Sequence, residues 1–264
     1  MSRLYTEVRG SGPTVALLHG WGLNLRVWDG LAAALGDRFR IVTVDLPGHG
    51  RSEWLPERSS LAAQAEQVHA AVSAIAETYS LLGWSLGGQI ALHLAADPPK
   101  AIVAAIDRLV LIAATPRLSA GPDWPHGAAP ERLGEQAADL RTDYRRTVGD
   151  FLELQVRGSA GGEAALTRLR AALFAHGEAH PAALAQGLAL LRATDLRPLL
   201  GGILQPALVI AGQYDRVTLP AASRALAELL PDARYVEIRR AAHAPFLSHL
   251  PQVTPLLTEF LRET

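Results

Sequence analysis

Gly83-Trp84-Ser85-Leu86-Gly87 stands between an apolar run, Tyr79 to Trp84, and a helical pattern, Leu86 to Ala96. A G-x-S-x-G stretch that closes a strand and opens a helix is a nucleophile elbow. A serine hydroxyl is a poor nucleophile at its own pKa, so it must be exposed, close to a base and next to backbone N–H donors. The elbow supplies the exposure and one donor. Its turn holds Ser85 in a strained conformation, while Gly83 and Gly87 let strand and helix approach without Cβ clashes and Gly88 extends that clearance. The pentapeptide alone also fits a plain Gly-rich turn; the strand before it and the helix after it add the weight.

Outward from the elbow, short aliphatic runs recur: Val15 to His19, Arg40 to Asp45, Tyr79 to Trp84, Arg108 to Ala113, Ala207 to Ala211 and Arg234 to Ile238. Several are apolar throughout, the pattern of parallel strands covered on both faces. Between them lie helical stripes. Leu61, Ala65, Val68, Val72 and Ile75 recur at steps of three or four, with Ser59 or Ser60 available as a cap. The alternation predicts a mostly parallel, doubly wound α/β sheet. From about Thr115 to Gly202 the rhythm breaks into Pro/Gly-rich connectors and helices without strands, with patterns over Tyr144 to Gln155, Ala164 to Ala175 and Pro181 to Ala193. We therefore expect an α/β core formed by residues 1–115 and 203–264, interrupted by a helical lid insertion, 116–202. Ligands of open α/β sheets sit beyond the carboxyl ends of the strands, so an insertion after Ala113 should cover Ser85.

The partners of Ser85 follow from position. An acid is expected after a late strand and a histidine after the last one. Asp215 follows the run ending at Gly212, and His243 follows the run ending at Ile238. His243 would take the Ser85 proton at Nε2 while Asp215 fixes the tautomer through Nδ1. Singly, Asp215 fits a turn residue and His243 a loop histidine; order and context join them. An oxyanion hole needs two N–H donors, assigned to Leu86, next after the nucleophile, and to Trp21 in His19-Gly20-Trp21-Gly22. His19, at a strand end, reads as structural. Asp45-Leu46-Pro47-Gly48-His49-Gly50-Arg51-Ser52 lacks the Lys-Ser/Thr of a P-loop and reads as a turn.

Composition sets the outer limits. At 264 residues and 49% hydrophobic, the chain can bury a large core, as one domain with an insertion or as two. The net charge of −1 argues against bulk attraction to nucleic acid or anionic membrane. The absence of cysteine excludes disulfides, thiolate metal sites and cysteine nucleophiles. His93, His176 and His180 lack metal-ligand spacing, so no metal or other cofactor is expected. Without a signal-like or spanning apolar segment the expectation is a cytoplasmic protein, and a monomer. Arg141 to Arg170 carries a local charge of +2, from six Arg and four acidic residues, which fits either a solvated face or a surface for an acidic partner.

From His19-Gly20-Trp21-Gly22 through the elbow to Asp215 and His243, the chain resembles the α/β-hydrolase superfamily. Gly83 to Gly88, Pro122-Asp123-Trp124-Pro125, Phe151-Leu152-Glu153-Leu154-Gln155 and Thr194-Asp195-Leu196-Arg197 are similar to the biotin-pathway carboxylesterases that hydrolyse pimeloyl-acyl-carrier-protein methyl ester. That resemblance implies a V-shaped helical lid and substrate contacts from Trp21, Ser85, Leu86, Phe151, Leu152, Glu153, Leu154, Gln155 and His243. It also implies an acyl-carrier protein as partner, met by lid arginines among Arg145, Arg146, Arg157, Arg168 and Arg170. Asp150 stands where better-known members carry a basic residue. Fold and triad do not fix a reaction. A broad short-chain carboxylesterase, another Ser-His-Asp hydrolase or a ligand receptor on the same scaffold remain the alternatives.

Overall fold

A computed structural model describes residues 4–96, 105–129 and 144–262. Seven strands form one sheet in the order β1-β3-β2-β4-β5-β6-β7. They are β1 (Thr6–Arg9), β2 (Thr14–Leu18), β3 (Arg40–Val44), β4 (Tyr79–Trp84), β5 (Ile106–Ile112), β6 (Ala207–Gly212) and β7 (Ala233–Ile238). β1 runs antiparallel to β3 and every other pairing is parallel. The expected doubly wound α/β sheet is present. Every residue of β4 and of β6 is buried, which is why these strands read as unbroken apolar runs. β1 was not read as a strand. It is an edge of four residues with Glu7 and Arg9 among them, too short and too polar to announce itself.

Helices α1 (Asp29–Leu35), α2 (Leu61–Ser73), α3 (Leu86–Ala96), α7 (Pro220–Leu229) and α9 (Leu250–Phe260) cover the sheet. Among the described residues three inserted helices, α4 (Tyr144–Val156), α5 (Gly162–His176) and α6 (Pro181–Ala193), fall between β5 and β6, and α8 (Pro245–Ser248) precedes α9. Ser60, the second of the two candidate caps, accepts Ala63 N–H at 3.2 Å and starts α2. No described helix is long and apolar enough to cross a membrane.

The strand order positions the site. From β2 the chain steps to β3 on one side, then returns to β4 on the other, so right-handed crossovers send α1 and α2 to opposite faces. The loops leaving β2 and β4 therefore diverge above adjacent strand ends, where Leu18 pairs with Gly83, and a crevice opens at this switch point. Glycines make the junction possible. A Cβ on Gly87 would collide with the carbonyl oxygens of Leu18 and His19, and one on Gly83 with the backbone of Gly87 and Gly88.

Gly149, on α4, has open space at the same position. Gly87→Val should therefore destabilise the fold by about 1–3 kcal/mol, the usual cost of overpacking. Gly149→Ala should stabilise it by about 0.5–1 kcal/mol, through helix propensity. Urea midpoints of the two variants check both signs.

Candidate active site

Ser85 ends β4 with φ of 55°, in the left-handed region that a side chain with a Cβ adopts only under constraint. The constraint is visible. Its N–H donates to Ile112 O at 3.1 Å on β5, and its carbonyl accepts Gly88 N–H at 2.9 Å and Gln89 N–H at 3.2 Å on α3. Ser85 is left partly exposed while its neighbours are buried.

Asp215 and His243, 28 positions apart, come together. His243 Nδ1 lies 2.8 Å from Asp215 Oδ2, both side chains being almost fully buried. Asp215 Oδ1 accepts Val217 N–H at 2.8 Å and Thr218 N–H at 2.9 Å. A carboxylate offers only acceptors, so Nδ1 carries the imidazole proton and Nε2 keeps its lone pair. Nε2 is buried and has no hydrogen-bond partner among the described residues, that of Ser85 included. The histidine backbone is clamped from two sides. Its N–H donates to Gln155 O at 2.9 Å on α4, and its carbonyl accepts Trp84 Nε1–H at 2.9 Å. Trp84 thus lies on the elbow and holds the histidine loop as well, a role that a buried strand residue does not reveal in sequence.

Leu86 N–H opens α3, where the helix has no carbonyl of its own to offer. Trp21 N–H is in none of the backbone hydrogen bonds among the described residues. The two belong to neighbouring loops, since a Cβ built on Gly20 would stand 3.4 Å from Ser85 Cβ. Trp21 also reaches the inserted helices: its Nε1–H donates to Leu184 O at 2.9 Å, and its ring meets Phe151 edge-on at 5.1 Å. Gly187 makes room for that indole, because a Cβ there would lie 2.8 Å from Trp21 Cδ1.

Two histidines brace the Trp21 loop. His19 Nε2 accepts Leu46 N–H at 3.0 Å, so its proton sits on Nδ1, 2.8 Å from Gly20 O. His49 Nε2 accepts Gly22 N–H at 3.3 Å, and its Nδ1 faces Pro47 O at 3.0 Å. Burial, with His49 beside it, pushes His19 well below the usual imidazole range, and burial lowers His49 too. Asp45 accepts Leu25 N–H, Arg51 N–H and His176 Nε2–H, the last at 2.8 Å, which ties the end of α5 to the core. The 45–52 turn is thus occupied by its own contacts. The sequence showed Asp45 and His176 as unrelated residues, because 131 positions separate them.

A cleft of about 490 Å³, part of it open to solvent, is lined by Trp21, Ser85, Phe151 and Leu154, with Leu118, Ala128, Leu188, Leu191, Arg216 and Val217. Five consecutive helical residues cannot share one face. Phe151 and Leu154 reach the cleft, Leu152 packs in the core, and Glu153 is exposed and bound to Arg170 at 2.5 Å. The Gln155 side chain is buried and its Oε1 is without a partner among the described residues. The Leu86 and His243 side chains are buried as well and do not line the cleft. Of the five arginines, Arg146 lies 3.7 Å from Asp150. Arg157 and Arg168 are exposed and make no ion pair among the described residues. Arg141 and the Arg145 side chain lie outside the described residues.

Residues 13–250 match the family model described as alpha/beta hydrolase fold. The pimeloyl-acyl-carrier-protein methyl ester esterase of Xanthomonas oryzae pv. oryzae (strain MAFF 311018) is 42% identical, over 98% of this chain and 98% of that relative. The protein of the same name from Stenotrophomonas maltophilia (strain K279a) is 40% identical, over 98% and 96%. Among solved structures, an esterase from Exiguobacterium antarcticum superposes with a TM-score of 0.91 at 23% identity, covering 99% of this chain and 96% of that one, a likeness of fold alone.

The two bracing histidines generate a pH prediction. Both are held neutral in the folded state, whereas in the unfolded chain each takes a proton near about pH 6.5. Below that pH the unfolded state binds more protons, so stability should be full above about pH 7 and fall as pH drops through 6.5, by up to roughly 1.4 kcal/mol per unit for each ring. Urea midpoints between pH 7.5 and 5.5 measure this. A level profile would show that both rings accept protons without unfolding.

Proposed function

The chain belongs to the α/β-hydrolase family, and from that premise we propose that it is a serine carboxylesterase that hydrolyses pimeloyl-acyl-carrier-protein methyl ester in biotin biosynthesis. The observation that carries the reading is the state of His243. With Asp215 Oδ1 occupied by backbone N–H groups and Oδ2 facing Nδ1, the basic lone pair is confined to Nε2, which nothing among the described residues claims. The full-length likeness to esterases of that name supports the substrate. The apolar lining from Trp21, Leu118, Phe151, Leu154, Leu188 and Leu191 suits an acyl chain.

In the proposed reaction, His243 Nε2 takes the Ser85 proton as Oγ attacks the ester carbonyl. Trp21 and Leu86 N–H receive the oxyanion. Collapse of the tetrahedral intermediate expels methanol, protonated by His243, and leaves an acyl-enzyme. Water, deprotonated by the same nitrogen, then releases the free carboxylate and restores Ser85. The Ser85–His243 contact closes with substrate in place, as catalytic hydrogen bonds commonly do. Residues 116–202 act as the lid, docked on the core through Trp21–Leu184 and Asp45–His176. Arg157 and Arg168 are the lid cations we assign to the carrier protein, since Arg170 is engaged by Glu153 and Arg146 stands near Asp150. The protein acts in the cytoplasm as a monomer without cofactor.

Ser85→Ala should keep its circular dichroism and lose hydrolysis of the carrier-protein ester by several orders of magnitude. Methanol release by the purified variant decides this; turnover like that of the wild type would remove Ser85 from the mechanism. Arg157→Glu with Arg168→Glu should lower the ratio of kcat/KM for the carrier-protein ester to that for a p-nitrophenyl ester about tenfold, through KM. Added salt should move the wild-type ratio the same way, because exposed pairs are screened within about 10 Å at 0.1 M. An unchanged ratio would place the carrier protein elsewhere on the surface.

A further inference from the structure

Among the described residues, Arg216 is the single charged side chain lining the cleft that holds Ser85. It is exposed and makes no ion pair, hydrogen bond or ring contact among the described residues. Its surroundings do not account for it. Across the described insertion, arginines near the core are committed to acids: Arg117 to Asp123 at 3.0 Å, and Arg197 to Asp123 and Asp195 at 2.6 Å each. Arg216 has no such acid among the described residues, and apart from Ser85 the other described cleft residues carry apolar side chains. The backbone beneath it is fixed, because Asp215 Oδ1 takes both Val217 N–H and Thr218 N–H. The root of the guanidinium is thereby fixed at the cleft, and its planar fork matches a planar anion.

We propose that Arg216 is a specificity-determining residue that recognises an anionic oxygen group on the non-reacting part of the substrate. This deepens the esterase reading and rests on it. Two sources carry that chemistry: a terminal carboxylate on a free dicarboxylate half-ester, and the phosphodiester of a carrier protein's phosphopantetheine arm. An apolar cleft by itself binds a hydrocarbon ester better than an acid-tipped one, because the charged tip must be desolvated; a cation at its lining reverses that preference. Rejection of a hydrocarbon tip then comes from leaving the cation without its anion.

The test uses the full-length enzyme and its Arg216→Ala, Arg216→Lys and Arg216→Glu variants. One arm compares monomethyl pimelate with methyl heptanoate. A second compares the pimeloyl methyl ester thioester of pantetheine with that of 4′-phosphopantetheine. In at least one arm, the ratio of kcat/KM for the anionic to the neutral ester should fall about tenfold in Arg216→Ala, through KM, and further in Arg216→Glu. Arg216→Lys should recover part of it, since it keeps the charge and loses the planar fork. The first arm responding assigns the carboxylate, the second the phosphate of the phosphopantetheine arm, present in the probe as a monoester. Ratios within twofold of wild type in both arms, for all three variants, would overturn the proposal and leave Arg216 a solvated surface residue. Carrier-protein ester is assayed alongside. Failure of the wild type to hydrolyse it, with neutral esters still turned over, would defeat the carrier-protein reading instead, whatever Arg216 does.

Discussion

The left-handed backbone at Ser85 is the constraint to which the rest of the structure answers. A non-glycine residue at φ of 55° is unfavourable by itself. Here β5 fixes its N–H, α3 fixes its carbonyl, and the missing side chains of Gly83 and Gly87 let β4, α3 and the end of β2 come together. The strain is thereby opposed by contacts from three elements. Ala113, at the end of the neighbouring β5, also has a positive φ, of 47°, with its N–H held by Ile210 O at 2.8 Å. Strain gathers at the carboxyl edge of the sheet, where the crevice lies, and is absent from the strand interiors.

Around that edge, buried polar groups are used to join loops. His19 links the β2 loop to Leu46, His49 links it to Pro47, and Asp45 collects Leu25, Arg51 and His176. Burying imidazoles and a carboxylate costs free energy unless each finds its hydrogen bonds, and here each ring nitrogen of His19 and His49 has one. Trp21 then joins the same loop to α6 through Leu184. Consequently the candidate oxyanion donor, the inserted helices and the 45–52 turn form one connected assembly. Its geometry depends on those histidines staying neutral.

His243 is placed by the same economy. Trp84, one residue before Ser85, and Gln155, on an inserted helix, both hold its backbone. Trp84 also packs against Trp28 and Phe246, with centroids 6.2 Å and 4.9 Å away. The aromatic cluster therefore sets the height of the histidine loop relative to the elbow. A helix inserted between β5 and β6 thus holds the histidine loop through one backbone carbonyl.

The sequence alone determined the elbow, the strand runs buried on both faces, the α3 and α6 helices to the residue, and the order of Ser85, Asp215 and His243. These are legible because they are local: a buried parallel strand must be apolar, and a strand-to-helix turn this tight must be flanked by glycine. β1, α1 and α7 escaped notice: β1 is a short charged edge and α1 only seven residues long, whereas α7 carries an apolar stripe through Ala222, Leu226 and Ala227 that was legible and was missed. Only the tertiary structure decided that Phe151 and Leu154 face the cleft while Glu153 does not, because helix rotation is fixed by packing. Only it joined Asp45 to His176, His19 to Leu46 and Trp84 to His243, and brought Arg216 to the cleft. Such contacts depend on which loops meet above the sheet, and sequence separation holds no record of that.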